Sequence, residues 1–538
     1  MARVGPGAGE VTGTGTMDTQ TQQLMRRVPS VDAILKEPEL EGLAVQYGRK
    51  PVADAVREAV ATIRQELLAQ PPWRGRPALA SRGHPGLACP DEGIGDLVAP
   101  SNRGHELAPA QAGDTHDTQG QDALATDEAE IRDRIVTGAK EQIEAVMRPF
   151  YRRAVNATGI ILHTGLGRAV LPAAALAQIQ QTLGSYSLLQ VDRQTGKRSR
   201  RDERIEWLLQ RLTGAEAATV VNNNAAATAI VLNTVAKGKE VIVSRGQLVE
   251  IGGSFRLPDV MAFSGARLVE VGTTNKTHPR DYENAFTENT AAILRVHPSN
   301  YKIQGFSAEV PLDEMAAIAH RHNLVMIDDV GAGALLDFSQ FGFEPEPMLA
   351  DSIRQGADLV TCSADKLIGA SQGGLVLGRK SLIEAVRKNQ FARIVRVGKL
   401  TLAVLEATLK LFLDESLALR EVPTLRMLRR SAAEIREHAE RLAAQIREKD
   451  VAAAVATTSG FSEMGSGSLP AQNLATTLVA ITPQRIGVDV LAQRLRRHET
   501  PVFARIQNDQ VLLDPRTLRD GDDEIVIQAV AAALAASE

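Results

Sequence analysis

The tetrapeptide Ser363-Ala364-Asp365-Lys366 ends on the residue best suited to covalent chemistry in this sequence; it closes the apolar run Leu359–Ser363 and precedes Gly369, Gly373 and Gly374. An amine that forms a Schiff base must be partly desolvated, so that it is neutral and nucleophilic. Ser363, three residues before Lys366, is spaced to reach the phosphate of a cofactor carried on that amine. The plain alternative is a surface lysine at a strand end. A second group is Leu324-Val325-Met326-Ile327-Asp328-Asp329-Val330-Gly331-Ala332-Gly333, an apolar run closed by two acids and then glycines that let a ligand approach the backbone. A carboxylate such as Asp329 at a strand end can pair with a protonated ring nitrogen and keep the ring an electron sink. Asp328 beside it leaves open which acid does so, and either acid can instead cap a helix or bind magnesium. The third group, Val221-Asn222-Asn223-Asn224-Ala225-Ala226-Ala227, runs from a strand into an Ala-rich helix. Small residues there leave backbone N–H groups free for a phosphate, aided by the helix dipole, and the asparagine side chains add donors. A simple Asn cap is the alternative, though three asparagines exceed what a cap requires.

Elements that would position these groups are legible in the pattern. Between 151 and about 398, short apolar runs at 218–222, 241–244, 292–296, 324–328, 359–363 and 374–377 alternate with helical stretches. That alternation predicts a mostly parallel sheet with helices on both faces. A long basic helix is expected over 423–449, and a smaller C-terminal α/β domain after Gly465-Ser466-Gly467-Ser468. Upstream, Val52, Val56, Ile63 and Leu67 fall on one helical face, as do Ile131, Ile135, Ile143 and Val146. Residues 1–20, with Met17 as an alternative start, read as disordered. The Pro-, Gly- and Asp-rich stretch 71–126 reads as a disordered insert, because it has too little apolar surface to offset its ordering entropy. The 538 residues therefore divide into 21–70 (helical module), 127–150 (connecting helix), 151–412 (large domain) and 413–538 (small domain).

Composition narrows the class. Hydrophobic content of 44% and charged content of 23% are those of a globular enzyme. No run of about 18 apolar residues or signal-peptide profile is present, so neither a membrane nor export is expected. The two cysteines lie far apart, which supports neither a disulfide framework nor a clustered metal site and fits a reducing cytoplasm. A net charge of −4 excludes a uniformly basic nucleic-acid coat but not local basic patches.

The order of phosphate loop, acid and lysine is that of fold-type-I pyridoxal-phosphate enzymes, the aspartate-aminotransferase-like fold. Longer motifs make the likeness specific: NATGIILHTGLGR at 156–168, TGAEAATVVNNNAAA at 213–227, SRGQLVEIGGSFRLP at 244–258, EVGTTNKT at 270–277, VHPSNYKIQGF at 296–306 and KLTLAVLEAT at 399–408. With ARI and LLDPRT inside 505–517 and helices around 28–35, the chain resembles the bacterial selenocysteine synthase (L-seryl-tRNA(Sec) selenium transferase) family outside 1–20 and 71–126.

The resemblance implies an α/β fold-type-I enzyme with an N-terminal helical tRNA-binding module and a small C-terminal α/β domain. It implies pyridoxal 5'-phosphate on Lys366 and a β-replacement on seryl-tRNA(Sec) through an aminoacrylate, with selenium from selenophosphate. Lys366 then serves as base at Cα, Asp365 assists proton transfer, and Asp329, Ser363, Asn223, Asn224 and Ala225 hold the cofactor. Arg168, with Arg393 and Arg396 expected three apart on one helix face, matches the family's anionic donor site, where a lone arginine would read as a solvated charge. A cytoplasmic homodecamer without metal is implied as well. The chain departs from the family at Gly165, where asparagine is common, and at Ser199, where glycine is usual. A related pyridoxal-phosphate lyase acting on a small amino-sugar phosphate or amino acid shares the core but has no need of the N-terminal module. A catalytically dead tRNA-binding scaffold has no need of Lys366, Asp329 and Ser363.

Overall fold

The computed structural model describes residues 25–69, 128–252, 255–470 and 472–535; the expectations for 1–20 and 71–126 lie outside the described residues. The chain divides into two compact units, 1–152 and 153–538.

In the first unit, Ser30 caps the short helix Val31–Ile34 by accepting from the Ala33 N–H. Pro38 opens the helix Pro38–Tyr47 and Gly48, at φ +93°, ends it. Helices Arg49–Ala69 and Glu128–Met147 pack side by side. Their apolar faces supply Val52, Val56, Val60 and Ile63 on one side, and Ile131, Ile135, Ala139 and Ile143 on the other, to one core with Ile34 and Leu40. The helix expected as a connector thus also builds the core of this unit.

The second unit is organised by a seven-stranded sheet: β1 (Ala217–Val221), β2 (Glu240–Ser244), β3 (Arg267–Val271), β4 (Thr290–Val296), β5 (Val325–Gly331), β6 (Leu359–Ser363) and β7 (Gly374–Gly378). Their order is β3-β2-β4-β5-β6-β7-β1, and β7 alone runs antiparallel to its neighbours. Alternate residues of each strand enter different cores, since strand side chains alternate between faces. Ile242, Ile293, Met326 and Val360 pack with helices Glu203–Thr213, Leu312–Arg321 and Lys399–Leu411. Val241, Val243, Leu294 and Ile327 pack with helices Asn224–Ala236, Leu257–Ser264 and Lys380–Lys388 on the other face. This is the fold-type-I α/β architecture. β3 was missed in the sequence because it is an edge strand, Arg-Leu-Val-Glu-Val, only one residue of which is buried.

Beyond the sheet, the expected basic helix over 423–449 is two helices, Pro423–Arg429 and Ala432–Arg447. Arg430 is extended, and Ser431 starts the second helix with a reciprocal capping box to Glu434, a stop-and-start that charge periodicity does not reveal. Strands Ala453–Glu463, Asn473–Pro483, Gln510–Leu513 and Arg505–Gln507 form an antiparallel sheet in that order. Helices Ala432–Arg447, Val488–Arg497 and Asp522–Ala535 share its core. Val155–Asn156 pairs in parallel with Val502–Phe503, so the start of this unit is sewn to its C-terminal portion. No helix among the described residues is long and apolar enough to cross a membrane.

Candidate active site

Six strands of the large sheet run in parallel, and a ligand site is expected beyond their carboxyl ends. The three groups singled out in the sequence meet there. Lys366 sits in the turn after β6, held by Ala364 N–H donating to Gly373 O at 2.8 Å and Gly369 N–H donating to Lys366 O at 3.0 Å. The lysine is only 6% exposed. Burial and the charge of Arg168 hold its amine below the usual lysine value, against the opposing pull of Asp365, Asp329 and Glu346. A buried amine of this kind is neutral over a wider pH range, as Schiff-base chemistry requires.

The pleat of β5 separates the two acids. Asp328 shares a face with Met326 and meets Arg295 of β4, whose guanidinium donates to it at 3.1 Å. Asp329 points the other way, over helix Asn224–Ala236. It accepts from Asn224 Nδ2 at 2.8 Å, from the Thr228 hydroxyl at 2.9 Å and from Gly331 N–H at 3.2 Å. Burial raises its pKa; the Asn224 and Thr228 hydrogen bonds counter that rise, and Asp328 adds to it. An enclosed carboxylate surrounded by donors but lacking a cation is suited to a cationic ring nitrogen.

Helix Asn224–Ala236 begins where β1 ends. The Asn223 side chain caps it by accepting from Ala226 N–H at 2.9 Å, and the Asn224 amide is turned to Asp329. Both side chains are thus engaged within the protein, leaving the leading backbone N–H groups as the donors an anion would meet. Gly374 permits this placement: a Cβ there would lie 2.0 Å from Asn223 O. Asn223, Asn224, Ala225, Asp329, Ser363 and Lys366 line a single cavity of about 300 Å³. An anion end, an acid and a buried amine in one cavity are what pyridoxal phosphate requires, and the Asn224 Oδ1 and Ser299 Oγ on its wall are enclosed without a hydrogen-bond partner.

Arg168, at φ +63°, reaches Asp365 at 2.7 Å. Asp365 faces a second recess of about 460 Å³, and Arg168 and Gln372 border both spaces. Arg393 and Arg396 do not share a helical face. The helix Phe391–Ile394 is a single turn, and Arg396 lies beyond it in extended backbone bridged to Val221, because Val395 O accepts from Asn222 N–H at 3.0 Å. Both arginines sit instead in a positive cluster with Arg198 and Arg201. The Arg201 guanidinium is lowered by burial and by the charges of Arg396, Arg198 and Arg393, and it donates to Val397 O at 3.0 Å. Among the described residues lining the Lys366 cavity, Arg168 is present and Arg393 and Arg396 are not.

Sequence reasoning missed Thr228, His297 and Gln372. Thr228 lies one helical turn beyond Asn224, and His297 stands inside the VHPSNYKIQGF motif; Gln372 carried no signal.

The chain is similar to known proteins over most of its length. The family model described as L-seryl-tRNA selenium transferase matches residues 154–519, and that of the selenocysteine synthase N terminal matches 25–64. The L-seryl-tRNA(Sec) selenium transferase of Desulfomicrobium baculatum is 47% identical over 415 residues, covering 77% of this chain and 89% of that protein. Its namesake in Clostridium botulinum (strain Loch Maree / Type A3) is 36% identical over 507 residues, covering 94% and 98%. Among solved structures, D-glucosaminate-6-phosphate ammonia-lyase is similar in fold, with a TM-score of 0.51 and 21% identity over 73% of this chain and 99% of that one. The chain belongs to the L-seryl-tRNA selenium transferase family.

Proposed function

We propose that this protein is a pyridoxal-phosphate enzyme that converts L-seryl-tRNA(Sec) to L-selenocysteinyl-tRNA(Sec) with selenophosphate as donor, in the cytoplasm and as a homodecamer. The observation that carries the reading is the convergence of Lys366, Asp329 and the Asn224–Ala236 helix start on one cavity in a chain of this family. Lys366 would bond the cofactor, Asp329 would pair with its ring nitrogen, and the backbone N–H groups of Asn223, Asn224 and Ala225 with Ser363 would hold its phosphate. When bound, pyridoxal phosphate supplies an electron sink for charge developing at the seryl Cα. Lys366 Nζ would serve as the base that takes the seryl Cα proton, for which a neutral buried amine is suited. Asp365, braced by Arg168, which borders both the Lys366 cavity and the neighbouring recess, would pass a proton to the departing hydroxyl. The Arg168 side and the Arg393, Arg396 cluster offer guanidinium forks for the anionic donor.

The N-terminal match at 25–64 favours a tRNA substrate over the lyase alternative, which has no use for such a module. The test is to incubate the purified, cofactor-loaded protein with seryl-tRNA(Sec) and selenophosphate and measure selenocysteinyl-tRNA, with free serine and amino-sugar phosphates in parallel. Turnover of a small amine with seryl-tRNA left unchanged would sink the reading.

A further inference from the structure

Glu346 takes no part in the scheme above, yet it is one of the most enclosed carboxylates near the site. It lies in the loop before helix Leu349–Arg354, and its side chain is 4% exposed. One oxygen stands 3.5 Å from Nε2 of His297. The other, Oε1, is sealed from solvent and has no hydrogen-bond partner. His297 follows β4, its backbone N–H donates to Asp329 O at 2.9 Å, and the residue lines the Lys366 cavity. Glu346 does not line that cavity itself, so its route to the site passes through the imidazole.

The neighbouring acids differ in how their charge is used. Asp328 is matched by Arg295, and Asp365 by Arg168. Asp329 is held by neutral donors and is committed to the cofactor ring in the function proposed above. Among the described residues, Glu346 has only the His297 imidazole as an ionic partner. A buried carboxylate with an enclosed oxygen that meets no donor is poor packing; replacing it by an apolar side chain would relieve the defect, so its placement beside an active-site histidine points to use.

We infer that Glu346 is a positioning residue of this active site: it holds the His297 ring on the cavity wall with Nε2–H toward the carboxylate, and adds a negative charge to the electrostatic setting of Lys366. The first half follows from the geometry, because a buried carboxylate 3.5 Å from Nε2 favours the ring tautomer and orientation that carry a proton toward it. The second follows from Lys366 itself, which feels Arg168 as an opposing charge and Asp365, Asp329 and Glu346 as favourable ones.

The inference rests on pyridoxal phosphate binding at Lys366, and its test separates the two. The measurement is the visible absorbance of the bound cofactor as a function of pH in the full-length parent, Glu346→Gln and Glu346→Asp, with thermal unfolding in parallel. Loss of an anion disfavours the protonated form, so the midpoint in Glu346→Gln should move to lower pH by about half a unit or more. Glu346→Asp, which keeps the charge but withdraws it from Nε2, should move the same way by less, and it carries the test if the glutamine variant does not fold. A purely packing role would lower the unfolding temperature and leave the midpoint in place. Equal midpoints in the parent and the folded variants overturn the inference alone. A parent with no cofactor absorbance overturns the cofactor assignment, and this inference with it.

Discussion

Thr228→Val is the sharpest probe of the Asp329 assignment, because it removes one proton donor and keeps the side chain's shape. The Thr228 hydroxyl lies 2.9 Å from Asp329 Oδ2 and 3.0 Å from Asn224 O. A hydroxyl has one proton, and the ionised carboxylate is the stronger acceptor, so the hydrogen bond goes to Asp329. Asn224 and Gly331 remain as donors in the variant. A hydrogen bond to a charged group contributes about 1.5–3 kcal/mol. Burial already raises the pKa of Asp329, and losing a donor raises it further, so more of the acid stays protonated at neutral pH. A neutral carboxyl does not pair with a cationic ring nitrogen, and affinity for pyridoxal phosphate should fall about ten- to a hundredfold at one decade per 1.4 kcal/mol. The loss should shrink as pH rises, because alkali restores the carboxylate. Titrating apoprotein with the cofactor across the pH range, for the parent, Thr228→Val and Thr228→Ser, reads this directly. Serine, which keeps the hydroxyl, should behave as the parent. A dissociation constant for Thr228→Val within about twofold of the parent at every pH would refute the pairing of Asp329 with the ring.

Borohydride reduction of the loaded protein should place the pyridoxyl label on the peptide containing Lys366, and Lys366→Ala should fold yet show no turnover; a label on another lysine rejects the site. Gly374→Ala should lower the unfolding midpoint and weaken cofactor binding together, since its Cβ would meet Asn223 O at 2.0 Å and Asn224 N at 2.9 Å, which are backbone atoms that cannot swing aside; a destabilisation of about 1–3 kcal/mol is the scale of such overpacking. Arg168→Gln removes a cation that lowers the Lys366 amine and frees Asp365, which raises it, so the rate of cofactor attachment to apoprotein should shift to higher pH; a shift to lower pH contradicts the electrostatics. Removing residues 1–152 should leave cofactor binding intact, because the remainder has its own cores, while abolishing action on seryl-tRNA; undiminished turnover would deny the N-terminal unit a role in tRNA binding.

The sequence by itself determined the alternation that builds the sheet, because buried parallel strands read as short, mainly apolar runs between helical stretches, as 359–363 and 292–296 do. It also marked Lys366, Asp329 and the asparagine run, whose residue types are chemically unusual at strand ends. It did not separate Asp328 from Asp329. Adjacent strand residues face opposite sides, and only the packing of Ile327 and Met326 into different cores says which side holds the Asn224–Ala236 helix. Nor did it foresee how the asparagines are used: Asn223 caps its own helix and Asn224 reaches across to Asp329, partners far apart in the chain. The spacing of Arg393 and Arg396 suggested a shared helical face, but pairing of that segment with Val221 and Asn222 pulls Arg396 into extended backbone, a long-range hydrogen bond that periodicity does not register. Glu346 and His297 came together only through the fold, since neither residue carries a local signal of the other and their approach depends on β4 and the loop after β5 meeting at one end of the sheet.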